Sequence, residues 1–182
     1  MTGFQVLLLA AVLVTCAAGI LDYRTGLIPN QLTYPLVCVG AVAHVILSAS
    51  LLGSAHFGWI LLETLAGALI CGLIPMALWR SQAMGGGDVK LLVGLGALLG
   101  PAIGLRVELY SFMAAVVAAP IVLAHRGVLL ATLKRSGALF IRPFRRSKNK
   151  ENLPPSPEGM SELRFGPAIC AAMAVVAMLE WR

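Results

Sequence analysis

Apolar runs alternate with short polar breaks along most of the chain, at roughly 4–21, 35–53, 57–79, 89–105, 107–124 and 166–181. A helix needs about 20 such residues to cross a hydrocarbon core. The pattern therefore predicts an all-α membrane protein with six transmembrane helices. The breaks carry helix punctuation. Pro29-Asn30 stops the first helix, and Thr33-Tyr34-Pro35 opens the second. Gly53-Ser54-Ala55-His56 forms a short uncharged turn. Gly85-Gly86-Gly87 predicts a loop, because glycine loses the most backbone entropy on ordering. Asp88 then falls at the N-cap of the fourth helix. Gly100-Pro101 begins the next turn. Between the fifth and sixth runs, residues 127–144 mix Leu129, Leu130 and Leu133 with Lys134, Arg135 and Arg142, as an interfacial amphipathic helix would. Residues 145–160 read as a flexible linker.

Composition agrees. Of 182 residues, 59% are hydrophobic and 12% charged, with a mean hydropathy of +0.88. These values exclude an ordinary soluble domain. The expectation is one membrane-embedded domain over 1–182, with a basic loop at 125–165 inside it. The first run has no basic residues before it and ends in Asp22, so it is not read as a cleaved signal peptide. Cys16, Cys38, Cys71 and Cys170 lie singly inside apolar runs and read as packing residues, neither a zinc site nor a disulfide framework. No metal or other cofactor is expected.

Charge sets the orientation. Twelve of the fourteen Lys and Arg fall in alternate loops, 22–34, 80–90 and 125–165; the others are Arg106 and Arg182. Cytoplasmic loops are enriched in these residues, which places the N-terminus outside. The basic 125–165 loop then reflects topology and attraction to anionic lipids, and nucleic acid is not an expected partner.

The chain's two aspartates, Asp22 and Asp88, both sit where an apolar run meets one of these cytoplasmic loops. Ionisable groups at membrane depth are functional candidates by default. Two neighbouring carboxyls do not both ionise easily, so one can take a proton from water while the other polarises a carbonyl. Peptide hydrolysis by an aspartic dyad needs those two roles. Asp22 lies at a helix C-terminus and Asp88 at a helix N-terminus, which favours Asp88 as the ionised partner. The bland alternative is an interfacial loop residue and a helix cap.

The neighbouring residues make the resemblance specific. Gly85-Gly86-Gly87-Asp88 fits the G-x-G-D signature of membrane aspartyl proteases. Met84 to Leu92, followed by Gly94, Gly96 and Gly100, resembles the second-aspartate motif of the type IV prepilin peptidases. Asp22 through Ile28-Pro29-Asn30 and Leu32-Thr33 resembles their first. Phe165-Gly166-Pro167-Ala168 resembles the Phe-Gly-Pro motif that opens their last helix. The resemblance implies removal of basic leaders from prepilin or pseudopilin precursors at the cytoplasmic face of the bacterial inner membrane, with Asp22 and Asp88 as the catalytic pair. Gly85, Gly87, Lys90, Pro29, Asn30, Gly166 and Pro167 carry over as supporting motif positions. The cysteine-motif insertion of the bifunctional relatives is absent. The chain resembles the small Flp/Tad-type form, which implies peptidase without methyltransferase activity.

Other residues read more plainly. Glu63 looks like a snorkelling or hydrogen-bonded structural glutamate, ahead of an ion-pathway role with His44. Lys90 reads as a contact to lipid phosphate ahead of a group that tunes the dyad. Two rival functions remain open: a G-x-G-D protease that cuts within a substrate's membrane span, and a small cation- or proton-coupled transporter. The first typically carries Tyr-Asp and Pro-Ala-Leu motifs, but Leu21 precedes Asp22 and Pro-Ala-Leu is absent. Transporters place such carboxyls near the midplane, often within paired repeats.

The orientation has a direct test. In a cysteine-free background, single cysteines at Thr25 and Gln82 are expected to resist an impermeant thiol reagent in intact cells. One at Ser54 is expected to react. The reverse labelling pattern would place the aspartates on the outer face.

Overall fold

The computed structural model describes residues 3–52, 54–81, 84–125 and 165–181. They form α1 (Gly3–Thr25), α2 (Asn30–Leu52), α3 (Phe57–Arg80), α4 (Gly86–His125) and α5 (Gly166–Glu180), with a 3₁₀ turn at Ser54–His56. Residues 1–114 and 164–182 form one compact unit. Residues 115–163 form a second, described as far as His125, the end of α4. The stretches 127–144 and 145–160, read as an interfacial helix and a linker, lie outside the described residues.

Four helices, α1 to α4, are long and apolar enough to cross a membrane, while α5 is a shorter apolar helix of 15 residues. Leu13, Leu69 and Leu73 are among the many large apolar side chains left exposed. Such a surface suits contact with lipid and would be a liability in water. The protein is a multi-pass, all-helical membrane protein.

α4 is not one straight rod. At Gly100 the backbone turns to φ 78°, ψ 173°, a region essentially reserved for glycine. Pro101 then opens a second arm, where its missing N–H and fixed φ suit a first helical turn. A Cβ added to Gly104 would come within 2.9 Å of the Gly96 Cα. Eight residues of straight helix would separate those positions by about 12 Å. The second arm therefore folds back along the first. Pro101 also has no N–H to offer the Ala97 carbonyl four residues earlier. The His44 ring hydrogen-bonds that carbonyl instead, and its Nδ1 lies 3.1 Å from the Thr64 hydroxyl. Glu63 accepts a hydrogen bond from Trp59 Nε1 at 3.1 Å. These are structural roles, and His44 and Glu63 are bonded to different partners.

The first arm of α4 is the centre of the unit. Leu91, Leu92, Leu95, Leu98 and Leu99 are all buried in it, joined in the core by Leu8 and Ala11 of α1, Leu36 of α2 and Ile169 and Met173 of α5. A helix apolar on every side belongs inside. Glycines let its neighbours close on it. A Cβ on Gly94 would lie 2.7 Å from Leu36 Cγ, and one on Gly40 would lie 3.3 Å from Leu98 Cβ. Gly67 of α3 lies directly against the Gly96 carbonyl, with no room for a side chain. α1 packs most extensively along α5, and α2 lies against both α1 and α3.

Three boundaries differ from the sequence reading. α2 begins at Asn30, five residues before the expected start. The Pro29 carbonyl accepts Leu32 N–H at 3.0 Å and Thr33 N–H at 3.4 Å, which starts the helix before Pro35. Pro35 lies close enough to the N-terminus to remove a single ladder bond. α4 begins at Gly86, so two of the three glycines are helical and Asp88 lies in the first turn instead of at the N-cap. The chain reverses at Gly100, where Gly100-Pro101 was expected to begin a turn, although the fourth apolar run extends to about residue 105.

The glycine contacts make stability differences measurable. Gly67→Ala is expected to destabilise the protein by about 1–3 kcal/mol, the usual effect of overpacking a tight interface. Gly58→Ala, where nothing lies within 4 Å of an added Cβ, is expected to be neutral or slightly stabilising. Thermal unfolding in one detergent compares them; equal midpoints would contradict the packing described here.

Candidate active site

Asp22 is the fourth residue from the end of α1, and α1 ends by a glycine mechanism. Gly26 adopts φ 69°, and its N–H returns to the Asp22 carbonyl at 2.8 Å. This is the left-handed cap that closes many helices. The Thr25 hydroxyl adds a bond to the Leu21 carbonyl at 2.8 Å. The chain leaves α1 sharply, and the Asp22 side chain stays inside, 6% exposed.

The N-terminus of α5 meets that side chain. Gly166 N–H donates to Asp22 Oδ2 at 2.9 Å, within the buried interior. A Cβ on Gly166 would fall 2.7 Å from Asp22 Cβ, so only glycine allows this approach. Pro167 occupies the first turn of α5, where its missing N–H leaves no gap in the ladder. The Phe165 ring packs against Phe112 at 5.5 Å between centroids, tilted by 45°, which ties this end of α5 to the second arm of α4. Asp22 lies in the last turn of its own helix, at the negative end of that dipole. Across the bundle, Asp22 also faces the positive end of α5.

Asp88 is 9% exposed, and its Oδ1 has no hydrogen-bond partner among the described residues. Its carboxylate also hydrogen-bonds the backbone of Gly85, and it is close enough to Asp22 for the two charges to interact. The structure thus brings the two aspartates, 66 positions apart in the chain, to one end of the helical unit.

Gly87 helps join the two motifs. A Cβ there would lie 2.9 Å from Ile28 Cβ and 3.3 Å from the Ile28 carbonyl. Ile28 belongs to the loop that follows Asp22. Gly87 is not in the left-handed region, so its role is close approach of the Asp88 turn to the Asp22 loop. Gly86 similarly lies against Trp79, and an added Cβ would be 3.3 Å from its Nε1. Gly85 is exposed, and a Cβ on it would be 3.0 Å from Asp88 Oδ2.

Lys90 clamps the same junction from outside. Its Nζ donates to Asn30 Oδ1 at 2.7 Å and to Tyr34 Oη at 3.3 Å, and sits 4.7 Å from the Tyr34 ring centroid. The ammonium thus ties the first turn of α4 to the first turn of α2. Pro29 starts α2 and so sets where Asn30 and Tyr34 project. Tyr34 was read in the sequence only as part of the entry to the second helix; its one further signal was an aromatic residue four positions after Asn30, one helical turn away. Among the described residues, no three His, Cys, Asp or Glu side chains are grouped to hold a metal.

Two buried carboxyls within reach of each other's charge, with a backbone N–H fixed on one of them, are suited to acid–base work on a polar bond. The sequence matches the type IV leader peptidase family over residues 7–123, well over half of the chain and inclusive of both aspartates. The chain belongs to that family. It is also 35% identical over 92 residues to the prepilin peptidase EppA of Methanothermobacter thermautotrophicus. That match covers 49% of this chain and 22% of the archaeal protein, so the chain spans about a fifth of the curated relative it matches. No solved structure gives a significant match. Of the G-x-G-D residues, Gly87 is the one packed against the loop that follows Asp22.

Gly87→Val is expected to lower peptidase activity at least about tenfold, because displacing one motif by even 1 Å disrupts a two-residue site. The variant is expected to remain in the membrane. Deleting 148–158 is expected to have the milder effect. Cleavage kinetics on both compare them; activity lost by the deletion and kept by Gly87→Val would move the site to the basic loop.

Proposed function

We propose that the chain is an aspartic endopeptidase that removes the leader peptides of prepilin or pseudopilin precursors at the cytoplasmic face of the bacterial inner membrane. The observation that carries this reading is the pairing of Asp22 with Asp88, both buried, at one end of the helical unit. Family membership supports the substrate class. In the proposed reaction one carboxylate takes a proton from water as the water oxygen attacks the scissile carbonyl. The other carboxyl, protonated, hydrogen-bonds the carbonyl oxygen. Collapse of the tetrahedral intermediate breaks the C–N bond, and a dyad proton passes to the leaving amine. No metal is required. Gly166 N–H orients Asp22, while Lys90, Asn30 and Gly87 hold the two motifs in register.

The proposed topology counts α1, α2, α3, both arms of α4 and α5 as six crossings, with the N-terminus outside. The Arg106–Glu180 ion pair, between the second arm of α4 and the last turn of α5, is consistent with it. Those residues belong to the predicted outer end, as Asp22 and Gly166 belong to the inner one. The whole chain is then one peptidase domain with a basic cytoplasmic loop, acting without a methyltransferase.

Asp22→Asn and Asp88→Asn are each expected to reduce leader cleavage by at least about a hundredfold, since an amide does not cycle a proton. Membrane extraction is expected to be unchanged. A precursor mobility-shift assay reads this with purified protein and a pilin precursor. Near-normal cleavage by either variant would end the dyad assignment. The product is expected to keep an unmethylated N-terminus by mass spectrometry.

A further inference from the structure

The buried side-chain oxygens and nitrogens that lack a partner among the described residues are three: Asp88 Oδ1, Glu108 Oε1 and Glu108 Oε2. All three belong to α4, whose two arms fold against each other. Glu108 is 1% exposed, less than either aspartate. A buried carboxyl without a donor weakens a fold, so its presence calls for a reason other than packing.

The register of the hairpin locates it. Gly104 on the second arm faces Gly96 on the first. One helical turn from that pair lies Glu108 on the second arm and Leu92 on the first. One more turn along the first arm is Asp88. Glu108 thus sits about one turn deeper than the dyad, on the arm that also carries Phe112 to the Phe165-Gly166 corner. Cys71 of α3 is near enough for the Glu108 charge to act on its thiol. Cys71 itself lies beside Gly96 and Gly104, so Glu108 stands between the Asp88 turn and the level of Cys71.

An internal water is held by two to four polar partners, and the two Glu108 oxygens are buried acceptors left without a donor among the described residues. Each peptide hydrolysis consumes one water, which must reach carboxyls that are themselves buried. We propose that Glu108 is a positioning residue that holds water inside the hairpin for delivery to the dyad. The proposal rests on the peptidase reading for its kinetic consequence. The water site itself does not.

Two measurements test it on the full-length protein. In X-ray radiolytic footprinting, ordered internal water produces hydroxyl radicals in place. Leu92, 1% exposed, is expected to be oxidised well above Leu8, which is 0% exposed and lies on α1. Glu108→Leu is expected to abolish the difference. In steady-state cleavage, Glu108→Leu is expected to lower kcat about tenfold or more with KM within about twofold. Its thermal stability is expected to match or exceed wild type, since an apolar side chain replaces an unpartnered carboxyl. Glu108→Gln, which still hydrogen-bonds water, is expected to keep kcat within about threefold. Should Glu108→Leu fail to accumulate, Glu108→Met is read in its place. Equal labelling of Leu92 and Leu8 overturns the water site. Unchanged kcat in Glu108→Leu, or the same loss in Glu108→Gln, overturns the positioning role. Cleavage retained by Asp88→Asn would instead overturn the dyad reading, and the footprint would still report on the water.

Discussion

A helix can occupy the centre of a small membrane bundle only where neighbouring backbones approach more closely than side chains permit. The first arm of α4 holds that position through Gly94, Gly96 and Gly100 on itself and Gly40, Gly67 and Gly104 on its neighbours. Lipid tails give helices little hydrophobic reason to associate, so close van der Waals packing carries the association. Everything at the site inherits its geometry from this arrangement. Asp88 is the third residue of the central helix, so any shift of that helix moves the carboxyl.

The second requirement is that a carboxyl at a helix end be met by something. Asp22 is met by the N-terminus of α5, and the contact is possible because residue 166 lacks a side chain. Gly87 plays the matching part for the Asp88 turn against Ile28. The same chemistry explains why the G-x-G-D and Phe-Gly-Pro motifs contain glycine at those places in this chain. Each is a point where a second backbone or an aspartate occupies the space of a Cβ. Lys90 and Asn30 then fix the first turns of α2 and α4 to each other by a direct hydrogen bond.

The break at Gly100 shows how one local irregularity is absorbed. Reversal needs glycine for the dihedral and proline for the restart, and proline leaves the Ala97 carbonyl without a donor. His44 supplies one. A buried histidine that could be mistaken for part of an ion pathway is thus the completion of a turn. Glu63, bonded to Trp59, is likewise accounted for. Glu108 has no such account among the described residues, which separates it from the other buried polar groups.

The apolar runs, the two aspartates at their edges and the three short motifs were legible from the chain, because hydropathy and rare ionisable residues are properties of sequence alone. They sufficed for an all-helical membrane protein, for the family and for the pair of candidate carboxyls. The ends of α2 and α4 were misplaced, because propensity treats Pro35 and Gly86-Gly87 as breakers while local hydrogen bonds and packing held them helical. The donor on Asp22, the Lys90–Tyr34 contact, the His44–Thr64 contact and the isolation of Glu108 were decided by tertiary structure. Each depends on residues 20 to more than 140 positions apart meeting in space, and no local pattern encodes which backbones will touch.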